Sequence, residues 1–161
     1  MIFVTIGTMW PFDRLIRAMD ALAEADPGAE ILAQIGQGRF EPRHMRWVRL
    51  LDRVAYAATI AGADLVVAHA GVGSVVTAGE HGKPIVVLPR KAAWGEHTSD
   101  HQLETAAWLR GLPGVFVASE AEDLPGCIAA ARARGAAGGV APVPKSAPPE
   151  FLGRLRGFIL R

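Results

Sequence analysis

The apolar positions fall into two rhythms along the chain. Short, unbroken and often β-branched runs occur at residues 2–6 (Ile2-Phe3-Val4-Thr5-Ile6), 30–35, 47–51, 64–68, 84–89 and 115–117. Runs of that length bounded by turn residues predict strands buried on both faces. Between them the apolar residues are spaced for one face of a helix. Phe12, Leu15, Ile16, Met19 and Leu22 follow Pro11, a residue suited to a first helical turn, and Asp26-Pro27-Gly28 ends the pattern. Further helices are predicted over 54–61, from the turn at 69–74 to about Gly82 as a C-terminal cap, over 99–109 and over 122–134. Strands alternating with helices, the strands apolar throughout, imply an α/β fold: a Rossmann-like, doubly wound parallel sheet covered on both faces. Such sheets take ligands at the carboxyl ends of their strands.

The pattern changes after residue 134. Residues 135–149 (GAAGGVAPVPKSAPP) read as a flexible linker. Residues 150–161 follow, with Phe151, Leu152, Leu155, Phe158 and Ile159 on one face of an amphipathic helix that docks back on the domain or on a partner. The domain proper is therefore 1–134.

At 161 residues, half of them apolar, the chain has the size and composition of one folded domain. A net charge of +1 argues against nucleic acid as a partner. Residues 132–161 carry six basic residues and one acidic one, which suits either an acidic surface or a plain solvated face. The single cysteine, Cys127, excludes an internal disulfide and fits a reducing compartment. No run approaches the about 20 apolar residues that span a bilayer, and the start lacks a signal-peptide pattern, so a cytoplasmic, soluble chain is expected.

Three turns stand where a ligand should bind. Gly7-Thr8 follows the first strand; its amides and the Thr8 hydroxyl can reach a phosphate, or it is a plain strand-to-helix turn. His69-Ala70-Gly71-Val72-Gly73-Ser74 follows a buried strand and opens a helix. Glycines let a backbone approach a ligand, and the first amides of a helix attract an anion, by ~0.3–1 kcal/mol at an exposed end. Ser74 adds a hydroxyl and His69 a donor; the alternative is a packed glycine turn with Ser74 as cap and His69 in the core. The third is the polar stretch 90–102, RKAAWGEHTSDHQ, whose Glu96, His97, Asp100, His101 and Gln102 can bind sugar hydroxyls. Ser99 and Gln102 also have the spacing of a helix capping box. His97 and His101 are four apart, but with no third histidine near them no metal site is expected.

Taken together and in order, FVTIGT-x-x-PFDRLI, Q-x-G, ADLVVAHAGVGS, GKPIVVLPR and EH-x-x-DHQLE-x-A resemble glycosyltransferase family 28 over residues 1–110. The likeness is to the carboxyl-terminal, donor-binding half of its two-domain (GT-B) enzymes, and above all to the short catalytic subunits of two-component transferases. Those subunits act in the dolichol pathway as N-acetylglucosaminyltransferases, or in exopolysaccharide and capsule synthesis with glucuronosyl or galactosyl donors. The resemblance implies an inverting UDP-sugar transferase without cofactor or obligatory metal. It also implies a lipid-linked saccharide acceptor and a membrane-anchored partner subunit that holds the chain at the inner face of the cytoplasmic membrane.

By the same resemblance Gly7 and Thr8 lie near the diphosphate, Gly71, Gly73 and Ser74 hold it, His69 heads that motif, and Asp100, His101 and Gln102 lie near the donor sugar, preceded by Glu96 and His97. Relatives often carry a ribose-binding glutamate where this chain has Thr77; Thr77 or Glu80, one turn on, takes that role, or ribose is held more weakly. The uracil contact is implied near 47–52. Arg90 or His69 can add a donor to the diphosphate, and Arg90 or Lys91 can meet a uronate carboxylate. The general base comes from the partner or from His97 or His101. Two other readings remain: a non-catalytic UDP-sugar-binding regulator, and an epimerase-like protein. A dinucleotide oxidoreductase would want G-x-G-x-x-G after the first strand, where this chain has GTMWPF.

Overall fold

The computed structural model describes residues 1–138, 140–142 and 150. Six parallel strands, β1 (Ile2–Thr5), β2 (Ile31–Gln34), β3 (Arg46–Val48), β4 (Leu65–His69), β5 (Ile85–Leu88) and β6 (Val115–Val117), form one sheet in the order β3-β2-β1-β4-β5-β6. Five α-helices connect and cover it: α1 (Asp13–Ala25), α2 (Arg53–Gly62), α3 (Val72–Glu80), α4 (His101–Leu109) and α5 (Leu124–Ala136). The doubly wound expectation is met, with the order reversing between β1 and β4, the point where such sheets open a crevice.

Alternation along the strands sorts the core into two layers. Ile2, Val4, Ile6, Leu65, Val67, Val86 and Leu88 point to the face covered by α1 (Leu15, Ile16, Met19) and α5 (Leu124, Ile128, Ala131). Phe3, Val66, Ala68, Ile85 and Val87 point to the other, against Ile60 of α2, Ala78 of α3 and Ala106 and Leu109 of α4. Burial on both faces is why these strands read as unbroken apolar runs. β3, at the sheet edge, is only half buried and is shorter than the 47–51 expected.

Two local expectations are corrected. α4 starts at His101, not Ser99, and no capping box forms: Ser99 Oγ meets His101 Nδ1 at 2.9 Å, and Gln102 turns inward to accept from the Arg90 amide at 3.1 Å. Ser74 is not a cap either, because Gly71 holds that position in α3. α5 runs two residues into the expected linker, and Val140 packs on Gly82 and Gly114, so close that a Cβ on Gly114 would stand 2.4 Å from its Cγ2. The terminal helix expected over 150–161 lies, apart from Glu150, outside the described residues. No helix among the described residues is long and apolar enough to cross a membrane.

Candidate functional site

A cleft of about 630 Å³ opens at the carboxyl ends of β1 and β4. One wall is the start of α3. Gly71 caps that helix, Ser74 and Val75 donate back to the Gly71 carbonyl at 3.2 and 3.4 Å, and the amides of Val72 and Gly73 take part in no hydrogen bond among the described residues. These are the orphan donors that every helix start carries, with the helix dipole behind them, and Gly73 of the two lines the cavity. A Cβ on Gly73 would meet nothing within 4 Å.

The other two glycines have a different reason. A Cβ on Gly7 would stand 2.9 Å from His69 Cε1, and one on Gly71 only 2.2 Å from His69 Nε2. The imidazole is wedged between the two turns, and Gly7 also needs its left-handed φ of 74°. Burial first, and then the Arg90 guanidinium, lower the His69 pKa to about 4. The ring is therefore neutral at physiological pH, and its Nδ1 is buried with no partner among the described residues.

Arg90, expected as a donor contact, is 2% exposed and serves mainly as a backbone brace. Its Nη2 donates to the carbonyls of Ile6 and Trp10, both at 2.7 Å, fixing the loop after β1. Burial lowers its pKa to about 10, so it keeps its charge at neutral pH. That charge reaches the cleft, whose lining includes Arg90 together with Thr8, His69, Ser74 and Thr77. The Thr77 hydroxyl is turned back to the Gly73 carbonyl at 2.9 Å.

The polar stretch after β5 divides in two. His97, His101 and Gln102 line the cleft; the two imidazoles meet edge to face at 4.4 Å, with Trp10 5.8 Å from His97. His97 has its pKa lowered by burial and by the neighbouring His101 and Arg90 charges. Glu96, Asp100 and Glu80, expected at the donor, do not line the cleft. Glu96 is taken by Arg14 (Nε–Oε1 2.8 Å, Nη2–Oε2 2.9 Å) and by the Lys91 amide at 2.9 Å. Asp100 accepts from the Ala92 amide at 2.8 Å, and Glu80 sits at the far end of α3. Lys91 is paired with Glu120.

Arg53 and Tyr56, which the sequence reading passed over, complete the cleft with Gln34 of the Q-x-G motif and Leu51 of the segment implied to meet the base. Gln34, 1% exposed, accepts from the Leu51 amide at 2.9 Å and donates to the Gly7 carbonyl at 3.4 Å, joining two rims. Its signal was a polar residue at the end of an otherwise apolar strand. Leu51, Arg53 and Tyr56 form the end of the cleft near the segment where a base contact was implied; Tyr56 stacks edge-on against Phe3 at 5.6 Å. Among the described residues no group of three or more His, Cys, Asp or Glu is placed to hold a metal ion.

The model of the glycosyltransferase family 28 C-terminal domain matches residues 1–120. The chain belongs to this family. It is 36% identical over 118 residues to the human UDP-N-acetylglucosamine transferase subunit ALG13, covering 67% of the chain and 10% of that protein. To the UDP-N-acetylglucosamine--N-acetylmuramyl-(pentapeptide) pyrophosphoryl-undecaprenol N-acetylglucosamine transferase of Nitratidesulfovibrio vulgaris it is 34% identical over 122 residues, 70% of the chain and 31% of that enzyme. The family 28 domain thus spans between a tenth and a third of these curated relatives. A solution structure of ALG13 shares the fold, with a TM-score of 0.58 and 19% identity over 99% of this chain and 96% of that one.

Proposed function

We propose that this family 28 domain holds the UDP portion of a nucleotide sugar in the cleft and, with a partner subunit, transfers the sugar to a lipid-linked acceptor with inversion. The observation that carries the reading is the start of α3, where the Val72 and Gly73 amides are unengaged and Gly71, Gly73 and Ser74 line a cleft at the sheet's reversal point. Breaking the glycosidic bond puts negative charge on the diphosphate leaving group. Preorganised amides, the α3 dipole and the Arg90 charge stabilise that charge, and one such donor is worth about 3 kcal/mol. Leu51, Arg53 and Tyr56 receive the base and Thr77 the ribose side.

The base that deprotonates the acceptor is not His69. Although His69 lines the cleft, an imidazole of such low pKa, held between two glycines, is a weak proton acceptor. His97 and His101 at the rim, or a residue of the partner, take that role. A single sheet supplies one wall of a reaction chamber, and transfer needs the acceptor held and water kept out. This supports a second unit facing the cleft; we take it to be a membrane-anchored partner, with the chain at the inner face of the cytoplasmic membrane in exopolysaccharide or capsule assembly, as the resemblance implies.

The donor sugar is a hexose. Of the two cations expected to meet a uronate carboxylate, Lys91 is paired with Glu120 and the Arg90 charge is assigned here to the diphosphate, which favours a neutral sugar over glucuronate. N-acetylglucosamine, in the names of both curated relatives, stands beside galactose as a candidate. The regulator reading gains some support from Glu96 and Asp100 being turned away from the cleft. Calorimetry with UDP and with UDP-N-acetylglucosamine, UDP-galactose and UDP-glucuronate, followed by turnover of the best binder with the partner present, tests the proposal. Absence of UDP binding refutes it, and binding without turnover in the reconstituted complex favours the regulator.

A further inference from the structure

Arg14 lies on the first turn of α1, and Glu96 lies 82 residues later in the loop after β5. Their side chains form a two-pronged ion pair at 2.8 and 2.9 Å, with only 15% and 10% of each exposed. The same Arg14 Nη2 also donates to the Pro89 carbonyl at 2.7 Å, at the end of β5. Its guanidinium lies 5.1 Å from the centre of the Phe12 ring and 4.6 Å from that of Trp94, which belongs to the loop itself. Glu96 Oε2 also accepts from the Lys91 amide, so one carboxylate closes residues 91–96 into a ring and ties that ring to α1. His97, which enters the cleft, is the next residue after the clamp.

We propose that the Arg14–Glu96 pair positions the sugar-facing loop, so that preference for the sugar, as distinct from grip on UDP, is set from α1. This rests on the UDP-sugar reading above. Arg14 and Glu96 are positioning residues here, since neither lines the cleft. The planar, bidentate pair fixes direction as well as distance, which a lysine cannot reproduce. The UDP-facing elements have hydrogen bonds of their own: the loop after β1 is held by Arg90 and Gln34, and the α3 start by its own backbone, the Phe12 ring being shared by Arg14 and Arg90 at 5.1 Å each. Loosening the clamp should therefore release His97 and its neighbours while leaving the diphosphate wall in place.

The test compares wild type, Glu96→Gln and Arg14→Lys by calorimetry, with UDP and with UDP-N-acetylglucosamine, UDP-glucose and UDP-galactose, alongside thermal unfolding. The expected result is UDP affinity within about twofold of wild type and UDP-sugar affinity lowered about tenfold or more, the scale on which a small misplacement acts. Arg14→Lys, which keeps the charge but not the fork, should keep the UDP affinity and lose the sugar preference. Equal losses for UDP and UDP-sugar, tracking a drop in melting temperature, assign the pair a merely structural role and overturn the proposal. Unchanged UDP-sugar affinity in the folded variants also overturns it, leaving the UDP-sugar reading intact. If wild type binds neither UDP nor any UDP-sugar, the function reading falls and takes this proposal with it.

Discussion

Replacing Gly73 by valine separates the fold from the site. Gly73 is the second residue of α3, its φ is not positive, and a Cβ there meets no atom within 4 Å. Valine is a better helix former than glycine by a few tenths of a kcal/mol, so stability should hold or rise slightly. The ligand side is different. The new branched side chain occupies space beside the two amides proposed to meet the diphosphate. Each hydrogen bond to a charged group contributes about 1.5–3 kcal/mol, so losing both costs about 3–6 kcal/mol. At 1.4 kcal/mol per tenfold, UDP affinity should fall by roughly a hundredfold to ten-thousandfold. Thermal unfolding and calorimetry with UDP on the same preparation read both quantities, and Gly73→Ala should show a smaller loss in the same direction. A folded Gly73→Val protein that binds UDP as wild type does would falsify the placement of the diphosphate at this helix start.

Gly71→Ala should behave in the opposite way, costing about 1–3 kcal/mol by forcing the His69 ring aside, and the double variant Gly71→Ala/His69→Ala should regain part of that in urea denaturation. No recovery in the double variant means that the clash is not with the imidazole. Arg90→Met leaves the Ile6 and Trp10 carbonyls without their donor and should lower stability by about 2–5 kcal/mol, read as a shifted urea midpoint at unchanged slope. The folded protein holds the His69 pKa at about 4 against 6.5 when unfolded, so the unfolded chain binds the extra proton and stability must fall as pH drops from 6.5 towards 4. The loss approaches about 3 kcal/mol at the lower end, and His69→Gln should remove that part of the pH dependence. With a partner present, donor turnover should be insensitive to chelators, and inhibition by a chelator would reopen a metal-dependent route.

The sheet was legible because both of its faces are buried: runs such as 64–68 and 84–89 can be little else. β3 was harder to place, since an edge strand with an exposed Arg46 carries half the signal. The glycine turn was recognisable in position, yet the sequence could not tell a glycine that leaves room for a ligand (Gly73) from glycines that leave room for a histidine ring (Gly7 and Gly71). Carboxylates were misjudged for a related reason. Glu96 sits among residues that do face the cleft, and its partner Arg14 is 82 positions away, a pairing no local pattern reveals. Gln102 has a capping-box spacing from Ser99, but the deeper gain is the buried bond to the Arg90 amide, and tertiary structure wins over the local motif. Arg90 looked like a ligand contact only, and its second role as a brace was hidden because the two carbonyls it serves belong to a remote loop.

The wedge of His69 between two bare turns makes positions 69 and 71 and the remote position 7 behave as one lock. Enlarging position 71 is tolerated only if position 69 shrinks, shrinking 69 alone leaves a void, and position 7 is held to glycine by its φ of 74° as well as by the ring. A library that randomises them singly would score all three as immutable, whereas one that varies them jointly should uncover alternative fillings, an easily missed route to reshaping the floor of this crevice.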